Sequence, residues 1–473
     1  MPTEHRRTRI VATLGPASSD GRTIARLIRA GVDVARLNMS HGDHGSHGAL
    51  IREIRRQARR LGRPVGIMAD LQGPKVRLGR FDGPVTLRRG AVLTLTTRTR
   101  ETNPAKLILP VDYRHLPEET AEGHEILLAD GAVRLQVNRV HGHRVSCTVL
   151  EGRTLLPRAG FSLPQATAVR SPLTTKDRRD LAFAIESDVD FIALSFVRRA
   201  EDVAEAQKLI RRRGGRQKLV AKIETVPAVR NLDGIISGSD AVMVARGDLG
   251  VELPPEQVPI EQKRIIGACN AAGKPVITAT QMLESMRSTS RPTRAEASDV
   301  ANAVLDGTWA VMLSAETASG EYPVESVKMM DRIAREAEGY FNLVPRRRGP
   351  QLALSVSEGI AEAGGWIAFD VGAVAIVALT RSGATARQVA RFQPSLPVFA
   401  YTPDRQVLRQ MTLLRGVIPR PLAEQKSFRR AVLKAAADLR RRREVGRGDL
   451  IVVLGGDPHE PMGVTNRLVV HRC

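Results

Sequence analysis

The chain has 473 residues, 42% of them hydrophobic and 26% charged, and a formal net charge of +22. That length exceeds a single compact core and implies two to four domains, and the balance of apolar and charged residues excludes a disordered chain. No apolar run is long enough to cross a bilayer, and the basic start MPTEHRRTRIVATLG lacks the apolar length and small-residue cleavage pattern of a signal peptide, so a cytoplasmic location without membrane contact is expected. Eight short apolar runs then organise most of the chain: TRIVATLGPAS, VDVARLNMSHG, PVGIMADLQGPK, DVDFIALSFVRR, QKLVAKIET, SDAVMVARGDLG, KPVITATQML and DGTWAVMLSAET. Most are rich in Val, Ile and Ala without strict alternation, which suits parallel strands buried on both faces. Helical patterns such as GRTIARLIRAG, GALIREIRRQARRLG, DRRDLAFAIES, AEDVAEAQKLIRR and PIEQKRIIGACNAAG separate most of them. This β/α repeat predicts an α/β fold, a TIM (β/α)8 barrel.

Two segments depart from the repeat. Residues 75–170 turn to short alternating strands with glycine turns, which predicts a small β-barrel domain hung from a barrel loop and able to close over it as a lid. Beyond PRRRGP, residues 345–473 carry VGAVAIVALTRSG, LPVFAYTP, GVIPRPLAE and GDLIVVLGG between helical stretches, which predicts an open α/β domain. The barrel is then residues 1–74 and 171–344. Within the last domain TRSGATAR (380–387) opens a helix at a strand end, where Thr380, Ser382, Gly383 and Thr385 could receive a phosphate or simply cap the helix.

Six of the eight runs end in residues that a strand core would not choose: Arg36 and Asn38, Asp70, Lys222 and Glu224, Asp248, Thr280, Ser314 and Glu316. A TIM barrel gathers its C-terminal strand ends into one catalytic mouth. Glu224 and Asp248 are hard oxygen ligands suited to Mg²⁺, and Lys222, two residues from Glu224, points to the same side of its strand. Arg36 suits a bidentate grip on phosphate. The chemistry indicated is phosphoryl or enolate transfer with a divalent metal.

The motifs ARLNMSHG, DLQGPK, KIE, ARGDLG, ATQMLESM with RPTRAEASDVANAVLDG, and MLSAET together closely resemble those of pyruvate kinases, from LGPAS at residue 14 into the C-terminal domain. The resemblance implies phosphoryl transfer from phosphoenolpyruvate to ADP, giving pyruvate and ATP, in a homotetramer whose C-terminal domain takes an allosteric effector. It implies that Lys222 stabilises the transferring group and the enolate, that Glu224 and Asp248 hold Mg²⁺, that Arg36 binds phosphate, and that the backbone of Gly247 and Asp248 receives the carboxylate. Thr280 is then near the carbon that gains a proton, with Ser314 and Glu316 in a proton relay. Pro16, Asn38, His41, Arg77 and Lys176 fall near the nucleotide. Asn38, Ser40, Asp70 and the carbonyl of Leu71 would form a monovalent-cation pocket for K⁺.

Where K⁺-requiring members read Asp-Thr-Lys-Gly-Pro-Glu, this chain reads Asp-Leu-Gln-Gly-Pro-Lys, and Lys75 replaces the glutamate. An ammonium there can supply the charge that K⁺ would bring and repel a second one, so K⁺ is expected not to be required. The C-terminal segment GGDPHEPMGVTN (455–466) lacks the family's Pro-Gly-Ser-Gly turn, which leaves the effector open between a sugar phosphate, a nucleotide and none.

Other readings account for less. A Mg²⁺-dependent lyase or aldolase acting on oxo-acids would share Glu224 and Asp248 but would have no use for the lid, Lys222 and ATQMLESM together. A nucleic-acid-binding protein would explain the charge, yet the cations are mostly arginine, aromatics are 3%, and the runs RRRGGR, PRRRGP and LRRRRE read as solvated helix ends and linkers. A zinc site at His41, His44 and His47 would want a further carboxylate or cysteine at ligand spacing. Cys147, Cys269 and Cys473 are too far apart for a metal or redox motif and read as reduced structural thiols.

Overall fold

In the computed structural model, residues 5–74, 76–165, 171–341, 354–457 and 463–473 are described. Lys75 and the linker PRRRGP therefore lie outside the described residues. The eight apolar runs form the strands of one closed parallel barrel: β1 (Arg9–Leu14), β2 (Val34–Asn38), β3 (Gly66–Asp70), β4 (Phe191–Leu194), β5 (Lys218–Ile223), β6 (Ala241–Ala245), β7 (Val276–Ala279) and β8 (Ala310–Leu313). Nearly every residue in them is buried, because helices cover the outside and side chains fill the inside. The register pairs Arg36 with Met68 and Asn38 with Asp70, so the polar residues of adjacent strands arrive at one rim.

The interior is packed by Val11, Met68, Phe191, Met243, Ile277 and Met312, and its lower end is closed by Leu413 from the C-terminal domain. The approach is close: a Cβ at Gly66 would stand 2.7 Å from Thr412 Oγ1, so only glycine leaves room for this plug. Buried ion pairs join the same end. Arg6 and Arg9 both reach Asp33, at 2.9 and 3.3 Å, and Arg9 Nε donates to the carbonyl of Leu414 at 2.8 Å.

The inserted segment forms a six-stranded sheet in the order 161–162, 125–128, 133–141, 144–151, 92–96 and 108–110, with a two-stranded ribbon of Val85–Thr86 and Thr154–Leu155 beside it. Its outer strands are joined by residues 77–78, which bridge Gly160 on one side and Val111 on the other, so the sheet curls toward closure around Leu78, Leu93, Leu109, Leu135 and Cys147. The C-terminal sheet runs in the order 417–421, 398–402, 375–379, 450–455, 467–472. Four strands are parallel, as the sequence suggests; the fifth, Arg467–Arg472, is an antiparallel edge that the sequence reading did not include.

All three cysteines are free and buried. Burial pushes the thiols of Cys147 and Cys269 up to about 12, which keeps them protonated and inert. Among the described residues no helix is long and apolar enough to cross a membrane.

Candidate active site

β5 delivers the centre of the mouth. Lys222 Nζ lies 2.7 Å from Glu224 Oε1 and 3.3 Å from Asp70 Oδ1, and it donates to Ser195 Oγ at 2.7 Å. Asp70 Oδ2 accepts from Arg36 Nε at 2.6 Å, and Arg36 Nη1 donates to Thr13 Oγ1 at 2.9 Å. The ends of the first five strands are thereby joined in one contact path from Thr13 to Glu224. Asp70, Lys222 and Glu224 are all nearly inaccessible to water, at 1, 8 and 1% exposure.

Charge is fixed by this arrangement. Burial alone would lower the Lys222 ammonium, but Asp70 and Glu224 outweigh it and hold its pKa above the ordinary lysine value. Burial would likewise raise Asp70, and Lys222 with Arg36 reverse that, holding the carboxyl below its ordinary value. Glu224 goes the other way, since burial and the nearby Asp248 charge together outweigh Lys222 and raise it. The lysine is a permanent cation in a dry setting, where it acts strongly on any anion beside it.

Glu224 Oε2 accepts the Phe196 N–H at 2.6 Å. Its Oε1 is buried and faces Lys222 Nζ at 2.7 Å, which engages one of its two lone pairs. Glu224 and Asp248 both line a cavity of about 210 Å³ between the mouth and the inserted domain, which adds Phe161 and Ser162 to its wall. An unused carboxylate lone pair beside a second carboxylate fits Mg²⁺, which binds through one or two protein carboxylates and leaves its other positions to water and phosphate. Among the described residues no group of three or more His, Cys, Asp or Glu could hold a metal, consistent with so sparse a ligand set.

On the far side of the mouth, helix α1 (Arg246–Glu252) starts at the end of β6. Gly247 N donates to Thr280 Oγ1 at 2.8 Å, and that hydroxyl donates to the Ala279 carbonyl at 2.6 Å. Thr280 and Gln281 follow β7 with φ of +66° and +53°, a conformation that costs a non-glycine residue roughly 1–3 kcal/mol and is held only by its surroundings. Arg246 does the holding: it donates to the Thr280 carbonyl at 2.6 Å and is anchored on Asp299 at 2.6 and 2.7 Å. Ser314 Oγ is buried without a hydrogen-bond partner among the described residues, and the Ser314 backbone N–H donates to Glu316 Oε2 at 2.7 Å. Burial raises the fully buried Glu316 carboxyl above its ordinary value.

Comparison with known proteins matches this geometry to one family. The family model "Pyruvate kinase, barrel domain" matches residues 5–327, and "Pyruvate kinase, alpha/beta domain" matches residues 358–471. A pyruvate kinase of Mycobacterium intracellulare is 43% identical over 473 residues, covering 99% of this chain and 98% of its own. One of Agrobacterium vitis is 42% identical over 469 residues, covering 98% and 96%. The crystal structure of a pyruvate kinase from Cryptosporidium parvum superposes with a TM-score of 0.91 at 37% identity, covering 99% of this chain and 96% of that one. The chain belongs to the pyruvate kinase family. It is accordingly a phosphotransferase.

The remaining residues matched to pyruvate kinase motifs are less tightly gathered. Lys176 Nζ reaches the Met39 carbonyl and Asp180 Oδ2, both at 2.5 Å, which sets it beside the β2 loop. Asn38 Oδ1 accepts the Ser40 N–H at 3.1 Å, and the Leu71 carbonyl accepts Ser195 Oγ at 2.7 Å. Pro16, His41 and Arg77 are exposed, and among the described residues no side-chain hydrogen bond or ion pair ties them to the central path. Arg77 instead donates to the Arg158 carbonyl within the inserted domain. The histidines of HGDHGSHG part company: His44 bonds Asp180 and stacks on Phe183 at 4.4 Å, while His47 bonds the His41 carbonyl, an arrangement unlike a zinc site.

Two members of the path, Thr13 and Ser195, were not read from the sequence as site residues. Both sit at the ends of their runs, TRIVATLG and DFIALSF, so the strand-end rule that marked the other six strands applies to all eight. A third omission is Glu252, half-buried on α1, which accepts a hydrogen bond from Ser162 Oγ at 2.5 Å and so ties the inserted domain to the mouth. The TRSGATAR loop is split between two cavities. Thr380 and Thr385 line one of about 100 Å³ within the C-terminal domain, whereas Ser382 and Gly383 line another, toward the barrel. Gly383 takes φ +83° and donates its N–H to Thr380 Oγ1 at 2.9 Å.

Proposed function

We propose that this chain transfers the phosphoryl group of phosphoenolpyruvate to ADP, giving pyruvate and ATP, with Mg²⁺ held by Glu224 and Asp248. The observation that carries this is the buried Lys222 ammonium, set between Asp70 and Glu224, with Glu224 in turn at the wall of a cavity that the inserted domain roofs. In the reaction the bond from phosphorus to the enol oxygen breaks and one to the β-phosphate of ADP forms. Lys222 and Arg36 neutralise the transferring group, and Lys222 stays beside the enolate oxygen as negative charge gathers there. Mg²⁺, when bound, would polarise the phosphoryl oxygens as a Lewis acid. The backbone of Gly247 and Asp248 orients the substrate carboxylate. The enolate carbon then takes a proton on the Thr280 side, resupplied through Ser314 and Glu316.

Pro16, Asn38, His41, Arg77 and Lys176 are assigned to the nucleotide, on the exposed side where ADP would enter. Residues 1–74 and 171–344 form the catalytic barrel, 75–170 the lid and 345–473 the effector domain, whose phosphate loop is Thr380, Ser382, Gly383 and Thr385. K⁺ is not required: in the pocket of Asn38, Ser40, Asp70 and Leu71, the carboxylate is already paired with Arg36 and Lys222, and Lys75 follows in sequence. The chain is assigned to the cytoplasm as a homotetramer, and association is supported by apolar side chains that the C-terminal domain exposes, Val469 and Val470 on the edge strand at 40 and 41% and Phe369 at 73%.

The deciding experiment is a coupled assay of pyruvate release. Pyruvate should appear from phosphoenolpyruvate only when ADP and Mg²⁺ are both added, at a rate unchanged when K⁺ is replaced by a tetraalkylammonium salt. Pyruvate released at the same rate without ADP would favour a lyase and overturn the assignment. A many-fold loss without K⁺ would overturn only the cation reading.

A further inference from the structure

A second cavity, of about 210 Å³, lies at the opposite end of the barrel, where the C-terminal domain docks. Its barrel wall is made where strands begin rather than end: Lys218 opens β5, Asp240 precedes β6, and Lys274 precedes β7. A five-residue strand is about 17 Å long, so this wall is roughly that far from the catalytic rim. Its other wall is the first turn of helix α2 (Ala384–Arg391), with Gly383, Ala384 and Arg387, and an apolar side made by Val407, Met411 and Leu414.

The charges in this cavity do not balance. Lys218 pairs with Asp240 at 3.2 Å. Among the described residues Lys274 is held by backbone oxygen alone, at 2.6 Å from the Ser239 carbonyl and 3.2 Å from that of Ser237. Arg387 donates to the Gly273 carbonyl at 2.9 Å and pairs with no carboxylate. Lys274 and Arg387 are thus half-buried cations with no carboxylate in ion-pair contact among the described residues, and burial with neighbouring cations depresses each below its ordinary pKa against the opposing pull of Asp240. An arginine in the first turn of a helix adds to the positive end of the helix dipole. α2 also has no side-chain cap, so its opening N–H groups are not satisfied by an N-cap side chain. Three cations, one carboxylate and a helix start around a closed-in space form an arrangement that an anion would stabilise and that nothing in the catalytic reading uses.

We propose that this cavity binds a small phosphomonoester dianion, with its phosphate between Lys274 and Arg387 and its body against Val407 and Met411. Bound there, the ligand ties the C-terminal domain to the underside of the barrel. The volume is below the usual 300 Å³ of a drug-sized pocket, which suits inorganic phosphate or a three-carbon phosphate ester rather than a nucleotide.

The test is calorimetric titration of the full chain with inorganic phosphate and with glycerol 3-phosphate, glycerol serving as the uncharged control. To keep the catalytic mouth and the inner C-terminal cavity out of the signal, the titrations are repeated in R36Q and T385V backgrounds. The expected result is that K274Q and R387Q each weaken binding at least tenfold in both backgrounds, that R387K recovers most of it, and that D240N tightens it. Tighter binding of glycerol 3-phosphate than of inorganic phosphate would identify an ester as the ligand; equal binding would make free phosphate the occupant, and both support the site. Binding unchanged in K274Q and R387Q, or lost in T385V alone, would overturn it. Because D240N and R387K act through charge, they distinguish a binding site from a merely structural cluster, whose disturbance would lower thermal stability without ordering the affinities in this way.

Discussion

The two ends of the barrel use the same residue types for opposite purposes. At the floor, Arg6 and Arg9 close on the two oxygens of Asp33, and Arg409 and Arg55 close on those of Asp190, so each of these buried carboxylates is matched by two cations. At the mouth, Lys222, Asp70, Arg36 and Glu224 also pair, yet among the described residues the buried Ser314 Oγ has no hydrogen-bond partner and Thr280 keeps a strained backbone. Buried ion pairs are therefore no mark of a site in themselves. Function is marked where a buried polar network is incomplete and opens onto a cavity.

The largest effect should come from breaking the mouth. Lys222→Met removes the fixed cation and should lower kcat on the order of 10³-fold, and it should also lower the thermal midpoint, because the buried Asp70 and Glu224 lose a shared counter-charge. Steady-state rates beside a melting curve check it. The mirror experiment is at the floor: Asp33→Asn leaves two buried arginines short of a charge and should cost about 3 kcal/mol of stability, read by denaturant titration, while kcat of the folded enzyme holds. Its pH dependence has a defined sign. Burial would raise the Asp33 carboxyl, but Arg6 and Arg9 hold it below its unfolded value. Its contribution is then fully present above the unfolded pKa of about 3.9 and lost as pH falls through the folded value. Wild-type stability should fall more steeply below pH 4 than that of Asp33→Asn.

Smaller effects sharpen the contrast. Ser195→Ala removes one of three groups orienting Lys222 and should lower kcat about tenfold, in line with a charged hydrogen bond of roughly 1.5 kcal/mol. Ser162→Ala cuts the bond from the inserted domain to Glu252 and should raise the KM for substrate a few-fold, with kcat nearly constant, because it loosens the roof of the cavity rather than its chemistry.

The barrel was legible in the sequence because strands buried on both faces leave continuous apolar runs, and the mouth because polar residues ending such runs have no structural reason to recur. Thr13 and Ser195 escaped notice because a lone hydroxyl at a strand end looks like an ordinary loop start; only the contacts with Arg36 and Lys222 distinguish them. The edge strand Arg467–Arg472, with the sequence RLVVHR, was hidden by its exposure, since an outer strand with both faces partly wet lacks the apolar signature of its neighbours. The plug at Leu413 depends on contacts across hundreds of residues and has no local signal.

Glu224 and Asp248 at the mouth are proposed to hold a divalent metal that Asp33 at the floor, paired with two arginines, cannot. Titration of the full chain with Mn²⁺, followed by electron paramagnetic resonance with phosphoenolpyruvate present, tests it most directly. One Mn²⁺ per chain should bind in wild type and in Asp33→Asn, and at least tenfold more weakly in Glu224→Gln and in Asp248→Asn. Equal Mn²⁺ affinity in all four proteins would contradict the account.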